Sequence, residues 1–215
     1  MPVDPYVHHD CRPSKDTGGQ PMFDKEQFVE DCKNAIGDGQ RGIREVVARA
    51  VSDPVAVIRA MGEPTEAGIV PLYRSENLTI MHFTWAPYMT LVPHNHNMFS
   101  VVGLYGGRED NVFWRRVDGT IEVAGGQSLS SGQVATLGRD IIHSVLNPIS
   151  KKTAAFHVYG GDFLAPDDSR SQWDHETLEE KHWDLSAVKA RFREFDHRYD
   201  LSANQTAGIG AKTPV

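Results

Sequence analysis

The first part of the chain has hydrophobic residues at helical spacing. Apolar positions recur at Phe23, Phe28, Val29, Cys32 and Ile36, a pattern typical of an amphipathic helix. Asp24 followed by Gln27 is a capping-box candidate, so we predict a helix that ends near Gly37. A second helical segment is predicted over about 43–50. A third begins after Asp53, because Pro54 is tolerated in a first helical turn, and it ends near Met61.

After Ala67 the pattern changes to short segments of high β propensity, separated by glycine pairs and other turn residues. These segments are 70–73, 78–85, 89–92, 99–105, 111–117, 121–123, 133–137, 144–146 and 154–159. Such spacing predicts a sandwich or barrel of antiparallel strands. Polar turn residues predominate over 162–174, and an amphipathic helix is predicted over 185–199.

These elements suggest one domain with terminal additions, which suits a chain of 215 residues. The predicted segments are a flexible N-terminal arm (1–22), a helical segment packed on the barrel (23–62), the barrel with its functional site (63–174), a C-terminal helical segment (175–200) and a tail (201–215). The expected fold class is therefore mainly β, with helices before and after the barrel.

Composition narrows the possible partners. The net charge is −7 and the pI about 5.8, without a basic block, which argues against a nucleic acid or a membrane surface and favours a small molecule. No apolar run approaches the roughly 18 residues that span a bilayer, and no signal pattern precedes the helices, so we expect a cytoplasmic protein. The sequence leaves both a monomer and a homo-oligomer open.

Histidine spacing provides the first candidate chemistry. His94 and His96 lie two apart in a predicted strand, so both rings should project from one face and could bind one metal. Ten histidines in the chain make a chance His-x-His pair common, which leaves a surface role open. Only Cys11 and Cys32 are present, without a C-x-x-C pair. Any metal must therefore use nitrogen or oxygen ligands, and a third one must come from elsewhere.

A second stretch, from Gly132 through His143 to Asn147, has the spacing that completes this pattern. Together the two stretches resemble the paired motifs of the cupin superfamily, although Gly138 and Asp140 replace a Pro and a Gly of the second motif. Ser100 or Val101 stands where the first motif has its Glu. The resemblance implies a cupin double-stranded β-helix, a small antiparallel barrel, with a metal held by His94, His96 and His143 and no carboxylate ligand.

Three histidines without an acid are the pattern of the cupin thiol dioxygenases, the cysteine and 3-mercaptopropionate dioxygenases. These enzymes carry Ser-x-His-x-Tyr on one strand, and this chain has Ala155-Phe156-His157-Val158-Tyr159. The resemblance implies that Tyr159 and His157 are catalytic. Because Ala155 replaces the serine, the hydrogen bond that orients His157 is expected to come from water or to be absent. With Val101 near the position of the cross-linking Cys of animal enzymes, no thioether to Tyr159 can form.

Two arginines are candidates for binding a substrate carboxylate. Arg170-Ser171-Gln172-Trp173-Asp174 resembles the Arg-Ser-x-Trp-Asp segment of 3-mercaptopropionate dioxygenases, whose arginine binds the carboxylate. Arg74 lies where cysteine dioxygenases have an arginine with the same task, and the sequence leaves open which of the two acts. Trp173 is either a lid over the barrel mouth or a hydrophobic anchor for the C-terminal helix.

The function that this resemblance implies is oxygenation of a small thiol. A metal with three protein ligands can bind a substrate and dioxygen if it is redox-active, which zinc is not, so iron(II) is the expected cofactor and O2 the co-substrate. The expected substrate is a small mercapto-carboxylic acid, such as 3-mercaptopropionate or cysteine, and the product a sulfinic acid. Two alternatives remain: a cupin dioxygenase that cleaves a C–C bond in a diketone or phenolic ketone, and a non-catalytic metal- or ligand-binding cupin.

Overall fold

The structure, a computed structural model, describes residues 22–166 and 169–209, with side chains up to residue 198. The predicted arm lies outside the described residues except for Met22, and so do residues 210–215 of the predicted tail. In the described part, no helix is long and apolar enough to cross a membrane. The boundaries predicted between the five segments stay predictions.

Three helices precede the barrel. Helix α1 is Lys25–Ala35, followed by a 3-10 turn at Ile36–Asp38, and then by α2 at Gly39–Val51 and α3 at Pro54–Met61. The caps are those that the sequence predicts. The Gln27 amide donates to Asp24 Oδ1 (2.7 Å), and the Ala56 amide donates to Asp53 Oδ1 (3.0 Å), so each aspartate satisfies a backbone donor at the start of a helix.

Eleven strands form two antiparallel sheets in the described chain. They are β1 Gly68–Arg74, β2 Thr79–Trp85, β3 Thr90–Asn95, β4 Ser100–Gly106, β5 Arg108–Val117, β6 Thr120–Ser130, β7 Val134–Leu137, β8 Ile142–Leu146, β9 Thr153–Tyr159, β10 Ser171–Trp173 and β11 Glu180–His182. The strand orders are β1-β2-β9-β4-β7 and β11-β10-β3-β8-β5-β6. The expectation of a mainly β fold of antiparallel strands, with helices before and after it, is confirmed. The sequence pattern missed β10 and β11, which lie in or just after the stretch interpreted as turns.

Helices α1 to α3 cover the outer face of the first sheet. On β4 and β9, Val101, Phe156 and Val158 point outward and pack with helix residues such as Val47, whereas Val102 and Ala155 face the interior. Both faces of these strands are buried, which explains why their sequences are continuously apolar rather than alternating.

The C-terminal helix α4, Leu185–Ile209, is longer than the predicted 185–199. Val188 and Phe192 pack against Phe83 and Trp85 of β2, in the same cluster of buried residues as Tyr159. Ring centroids of Trp85 and Phe192 are 4.9 Å apart. The first turns of α4 therefore form part of the wall around the barrel interior.

Candidate metal centre

Three histidines converge inside the barrel. His94 on β3 is the direct cross-strand partner of His143 on β8, and His96 follows the end of β3. His96 Nε2 lies 3.1 Å from His94 Nε2 and 3.2 Å from His143 Nε2. All three side chains are buried, and together they form the one group of histidine or acidic ligands that the described residues bring close enough to hold a metal.

Local backbone geometry turns His96 toward the other two rings. The pairing of β3 with β8 shifts register between Leu91 and His94, and Asn97 adopts a positive φ of 54°, a conformation that asparagine tolerates better than most residues. The sequence predicted both rings on one strand face, and the structure reaches the same convergence with His96 beyond the strand. Asn97 Nδ2 also donates to the Ser169 carbonyl oxygen (2.8 Å), which holds the turn.

Hydrogen bonds at the opposite ring nitrogen aim each Nε2 at the common centre. His94 Nδ1 donates to the Val92 carbonyl (2.9 Å) and His143 Nδ1 to Asn111 Oδ1 (2.7 Å), while His96 Nδ1 lies 3.4 Å from Ser100 Oγ. Such partners fix the tautomer and orientation of metal-ligating histidines.

The short distances between the three Nε2 atoms are better explained by a shared metal ion than by hydrogen bonds among the rings. With Nδ1 protonated, Nε2 of His94 and of His143 presents a lone pair, so at most one of the two short contacts to His96 can be a hydrogen bond. Three nitrogens about 2.1 Å from one ion would lie about 3.0–3.4 Å apart. The observed 3.1 and 3.2 Å agree with that geometry, and the residues present therefore fit a bound metal ion.

Burial keeps these rings neutral. Desolvation lowers the pKa of His94 to about 4, although its bond to the Val92 carbonyl works in the opposite direction. Burial also lowers the pKa values of His96 and His143 well below the ordinary value, and the neighbouring histidines add to the effect. Neutral imidazole is the form that binds a metal, so the triad is ready to bind one at neutral pH.

A chain of buried polar groups connects the triad with Tyr159 and His157. Asn111 Nδ2 donates to Glu109 Oε1 (2.9 Å), and Glu109 Oε2 lies 3.5 Å from His157 Nε2. On its other side, His157 Nδ1 lies 3.4 Å from the Tyr159 hydroxyl. The expectation that the orienting hydrogen bond comes from water or is absent stays a prediction. His157 Nε2 has no hydrogen-bond partner in the described residues, and the Glu109 carboxylate from β5 approaches it as an ion-pair partner.

Tyr159 borders the triad directly. Its ring stands perpendicular to that of His96, with centroids 5.1 Å apart, and stacks on Phe163 at 4.0 Å. Burial raises the pKa of Tyr159, and the nearby charge of Glu109 adds to that shift. The hydroxyl therefore stays protonated and available for hydrogen bonding at neutral pH.

The cavity beside the triad is small and mostly apolar. It is lined by His94, His143, His157 and Tyr159 and by Ile69, Phe83, Trp85, Leu91, Val145, Phe163, Trp183, Leu185 and Val188. About 320 Å³ lies between these atoms, but the centre of a water-sized molecule can occupy only about 10 Å³ of it. That is room for about one water, so a larger guest requires its walls to move.

Trp183 covers this cavity. Its ring stacks on His94 with centroids 4.8 Å apart, and its buried indole Nε1 has no hydrogen-bond partner in the described chain. Trp183 lies just before α4 and is tied down by its own amide, which donates to the Arg170 carbonyl (3.0 Å). The cover is therefore a short segment between β11 and α4.

Trp173 lies at the end of β10 and is buried. It packs with Ile121 and Ile142 in a cluster separate from the one that holds α4. The guanidinium carbon of Arg116 lies 4.9 Å from its ring centroid. A role as a lid or as an anchor for the C-terminal helix stays a prediction, and these contacts favour neither.

The structure does not bring either arginine into the cavity lining. Arg170 is buried, and its two terminal nitrogens donate to the carbonyls of Phe163 and Ala165, both at 2.8 Å. Its guanidinium lies 5.3 Å from the Phe163 ring centroid, behind a residue that does line the cavity. Arg74 is half-exposed and grips the Asp162 carboxylate through two bonds of 2.8 and 2.9 Å. Carboxylate binding by either residue stays a prediction, and these contacts do not favour it.

Sequence reasoning missed Glu109, Asn111 and Trp183. Glu109 and Asn111 have the same parity as Phe113 on β5, so an acid and an amide on the inward face of a strand were a detectable signal. The predicted strand began at Asn111, which concealed the pattern. Nothing in the local sequence distinguishes Trp183 from Trp173.

The chain matches no protein-family model and no curated protein sequence. Among solved structures it is similar to an RmlC-like cupin of Methanocaldococcus jannaschii with a double-stranded β-helix (13% identity, 47% of this chain and 86% of that one, TM-score 0.40). It is also similar to a Bacillus halodurans protein (13%, 51% and 80%, TM-score 0.44) and to oxalate oxidase in complex with the substrate analogue glycolate (11%, 46% and 53%, TM-score 0.36). Likenesses this weak carry no argument about activity. The described residues thus form an antiparallel β fold with a cluster of three buried histidines that could hold a metal.

Proposed function

We propose that the protein is an iron(II)-dependent thiol dioxygenase, which adds both atoms of O2 to the sulfur of a small thiol to give a sulfinic acid. The observation that carries the proposal is an all-histidine triad with a buried tyrosine against it. When bound, iron(II) would supply the redox chemistry and the open coordination positions for both reactants.

The charge of the triad suits a thiolate. Three neutral imidazoles leave a divalent ion with its full charge, and no carboxylate joins their cluster among the described residues. An anionic sulfur would partly neutralise that charge in a buried site, where unbalanced charge is costly. His94, His96 and His143 thus favour binding of the deprotonated thiol.

Tyr159 and His157 supply the polar contacts of the cavity. The protonated Tyr159 hydroxyl lies beside His96 and within 3.4 Å of His157 Nδ1, so it can hydrogen-bond a guest at the metal while His157 holds it in place. The apolar walls exclude bulk water, which strengthens these contacts.

The lining bears on the choice of thiol. Because Arg170 lies behind Phe163 and already holds two carbonyls, the carboxylate of 3-mercaptopropionate or cysteine would meet an apolar wall unless Phe163 moved. We therefore place a thiol with a short apolar body ahead of the mercapto-carboxylic acid that the sequence suggests.

The same apolar lining favours a second candidate. A dioxygenase that cleaves a C–C bond in a diketone also needs a metal with open positions and an apolar pocket. Tyr159 would then hydrogen-bond a substrate oxygen instead of sulfur.

Oxygen consumption tests both candidates. Iron-loaded protein is supplied with propane-1-thiol, 3-mercaptopropionate, cysteine or pentane-2,4-dione, and products are identified by mass spectrometry with ¹⁸O2. Sulfinate carrying two labelled oxygens supports the first proposal, and labelled cleavage products from the diketone alone support the second. If oxygen is consumed neither with the thiols nor with the diketone, both candidates are contradicted and a non-catalytic metal-binding cupin remains.

The triad is tested separately by metal content. His96→Ala should abolish stoichiometric iron binding, whereas His175→Ala, which removes an exposed histidine outside the triad, should bind iron as the unaltered protein does. Equal iron content in the two variants would show that the metal is bound elsewhere.

A further inference from the structure

Glu109 is a carboxylate buried inside the barrel. It is 0% exposed, and its one ion-pair contact in the described chain is with His157, whose Nε2 lies 3.5 Å from Oε2. Neither of these two atoms has a hydrogen-bond partner in the described residues, so the 3.5 Å approach is an ion-pair contact and not a hydrogen bond. A buried carboxylate with so little compensation is costly, and such groups are characteristic of functional sites.

Because residue 155 is an alanine, a group that orients His157 must come from another strand. It is fully buried on the same interior face of β9 as His157 and Tyr159, and a methyl group cannot hydrogen-bond the imidazole. Glu109 reaches His157 from β5, which belongs to the opposite sheet. The carboxylate thus contacts the ring on the nitrogen that does not face Tyr159.

We propose that Glu109 is a positioning residue that fixes His157 in the tautomer with its proton on Nε2. A carboxylate oxygen attracts an N–H group and repels a ring lone pair, so the 3.5 Å contact favours a proton on Nε2, and Nδ1 is left as the acceptor for the Tyr159 hydroxyl. The arrangement follows the logic of a carboxylate that orients a histidine, which in turn holds a hydroxyl.

The metal ligand His143 sets the direction of the hydrogen bonds that run from it through Asn111 to Glu109. His143 must keep its proton on Nδ1 if Nε2 faces a metal, so Asn111 Oδ1 accepts there and Asn111 Nδ2 donates to Glu109. Glu109 therefore accepts at Oε1, and Oε2 is left facing His157. A glutamine at this position would turn its oxygen to Asn111 and its NH2 to His157, which would move the His157 proton to Nδ1.

The consequence for the proposed function concerns Tyr159. With its proton directed to His157 Nδ1, the tyrosine offers the lone pairs of its oxygen to the cavity, and it can accept a hydrogen bond from the S–H of an arriving thiol. This consequence depends on the proposed thiol chemistry, whereas the tautomer does not.

The tautomer can be measured directly. Long-range ¹H–¹⁵N correlation spectra of ¹⁵N-histidine-labelled, zinc-loaded protein at pH 8 distinguish protonated from unprotonated ring nitrogens, and His157→Gln identifies the signals of His157. We expect a proton on Nε2 alone in the unaltered protein. A proton on Nδ1, or on both nitrogens, would overturn the proposal without any variant at Glu109.

Glu109→Gln should shift the proton of His157 to Nδ1, whereas Glu122→Gln, which removes an exposed carboxylate on β6, should leave it on Nε2. An unchanged tautomer in the first variant would also overturn the proposal. If thiol oxygenation is observed, Glu109→Gln should lower kcat about 10- to 100-fold with zinc and iron content preserved. If no thiol is oxidised by the unaltered protein, the proposed function fails, while the spectra still decide the role of Glu109.

Discussion

Asn111 connects the triad with Glu109, and its replacement should weaken metal binding without removing a ligand. The side chain is 3% exposed, accepts from His143 Nδ1 at 2.7 Å and donates to Glu109 at 2.9 Å. In Asn111→Leu, which keeps a similar volume, both partners lose their hydrogen bond in a place that the described structure closes to solvent.

The expected magnitude follows from those two contacts. Loss of a hydrogen bond that orients a metal-ligating histidine typically lowers metal affinity about 10- to 100-fold, or about 1.4–2.7 kcal/mol. In the metal-free protein, each buried group left unsatisfied costs about 1–3 kcal/mol of folding free energy. Asn111→Leu should therefore bind zinc at least tenfold more weakly and unfold at a lower denaturant concentration.

Chelator competition with zinc measures the affinity, and Asn111→Asp provides the control. Aspartate still accepts from His143 but cannot donate to Glu109, so metal affinity should be kept while the metal-free protein loses stability through two adjacent carboxylates. Affinity within twofold of the unaltered protein in Asn111→Leu would refute the reasoning. An equal loss in the aspartate variant would show that the bond to Glu109, not the one to His143, governs metal binding.

Three further predictions concern the cover, the thiol and the helical layer. Trp183→Ala should open the cavity, so that the rate with bulky thiols or diketones rises several-fold relative to that with small ones; an unchanged size dependence would contradict its role as a cover. Burial raises the pKa of Cys32 to about 12, so about one thiol in 10,000 is ionised at pH 8; in a Cys11→Ser background it should not react with a disulfide reagent until the protein is unfolded. Gly103→Ala places a methyl 2.4 Å from a methyl of α2 and should lower the free energy of unfolding by about 1–3 kcal/mol, whereas Gly68→Ala, which meets no atom within 4 Å, should not.

The fold was predictable because its signals are local. The alternation of short strands, the turn glycines and the aspartate caps each act within a few residues, and helices α1 and α3 begin where Asp24 and Asp53 accept backbone amides. The spacing of His94, His96 and His143 was informative for a different reason. The resemblance of the two stretches to paired motifs indicated His143, whereas the pairing of β3 with β8 that places His94 opposite His143 is a long-range contact that strand parity alone could not give.

The rest of the site depends on contacts across the barrel. Glu109 on β5 and His157 on β9 belong to different sheets, so their approach follows from how the barrel closes and not from either strand's own pattern. Trp173 ends the three-residue strand β10 and Trp183 follows the three-residue strand β11, so no strand periodicity is long enough to show which of the two points to the cavity. Arg74 forms an ion pair with Asp162, which lies 88 residues away in the sequence, and nothing in the sequence indicates this pairing.

The buried negative charge of Glu109 explains how the histidine triad can lack a carboxylate ligand. A glutamate bound to the metal would occupy a coordination position, whereas Glu109 keeps one negative charge inside the barrel and acts on the triad only through Asn111. The same carboxylate holds His157, so one side chain orients both a candidate ligand and the group beside Tyr159. The effects of substitutions at Glu109 and Asn111 should therefore not be additive, because both residues belong to one series of hydrogen bonds and replacing either of them interrupts it. A metal held by the three histidines would keep its other coordination positions free, while Asn111 and Glu109 orient His143 and His157 from the side away from the cavity.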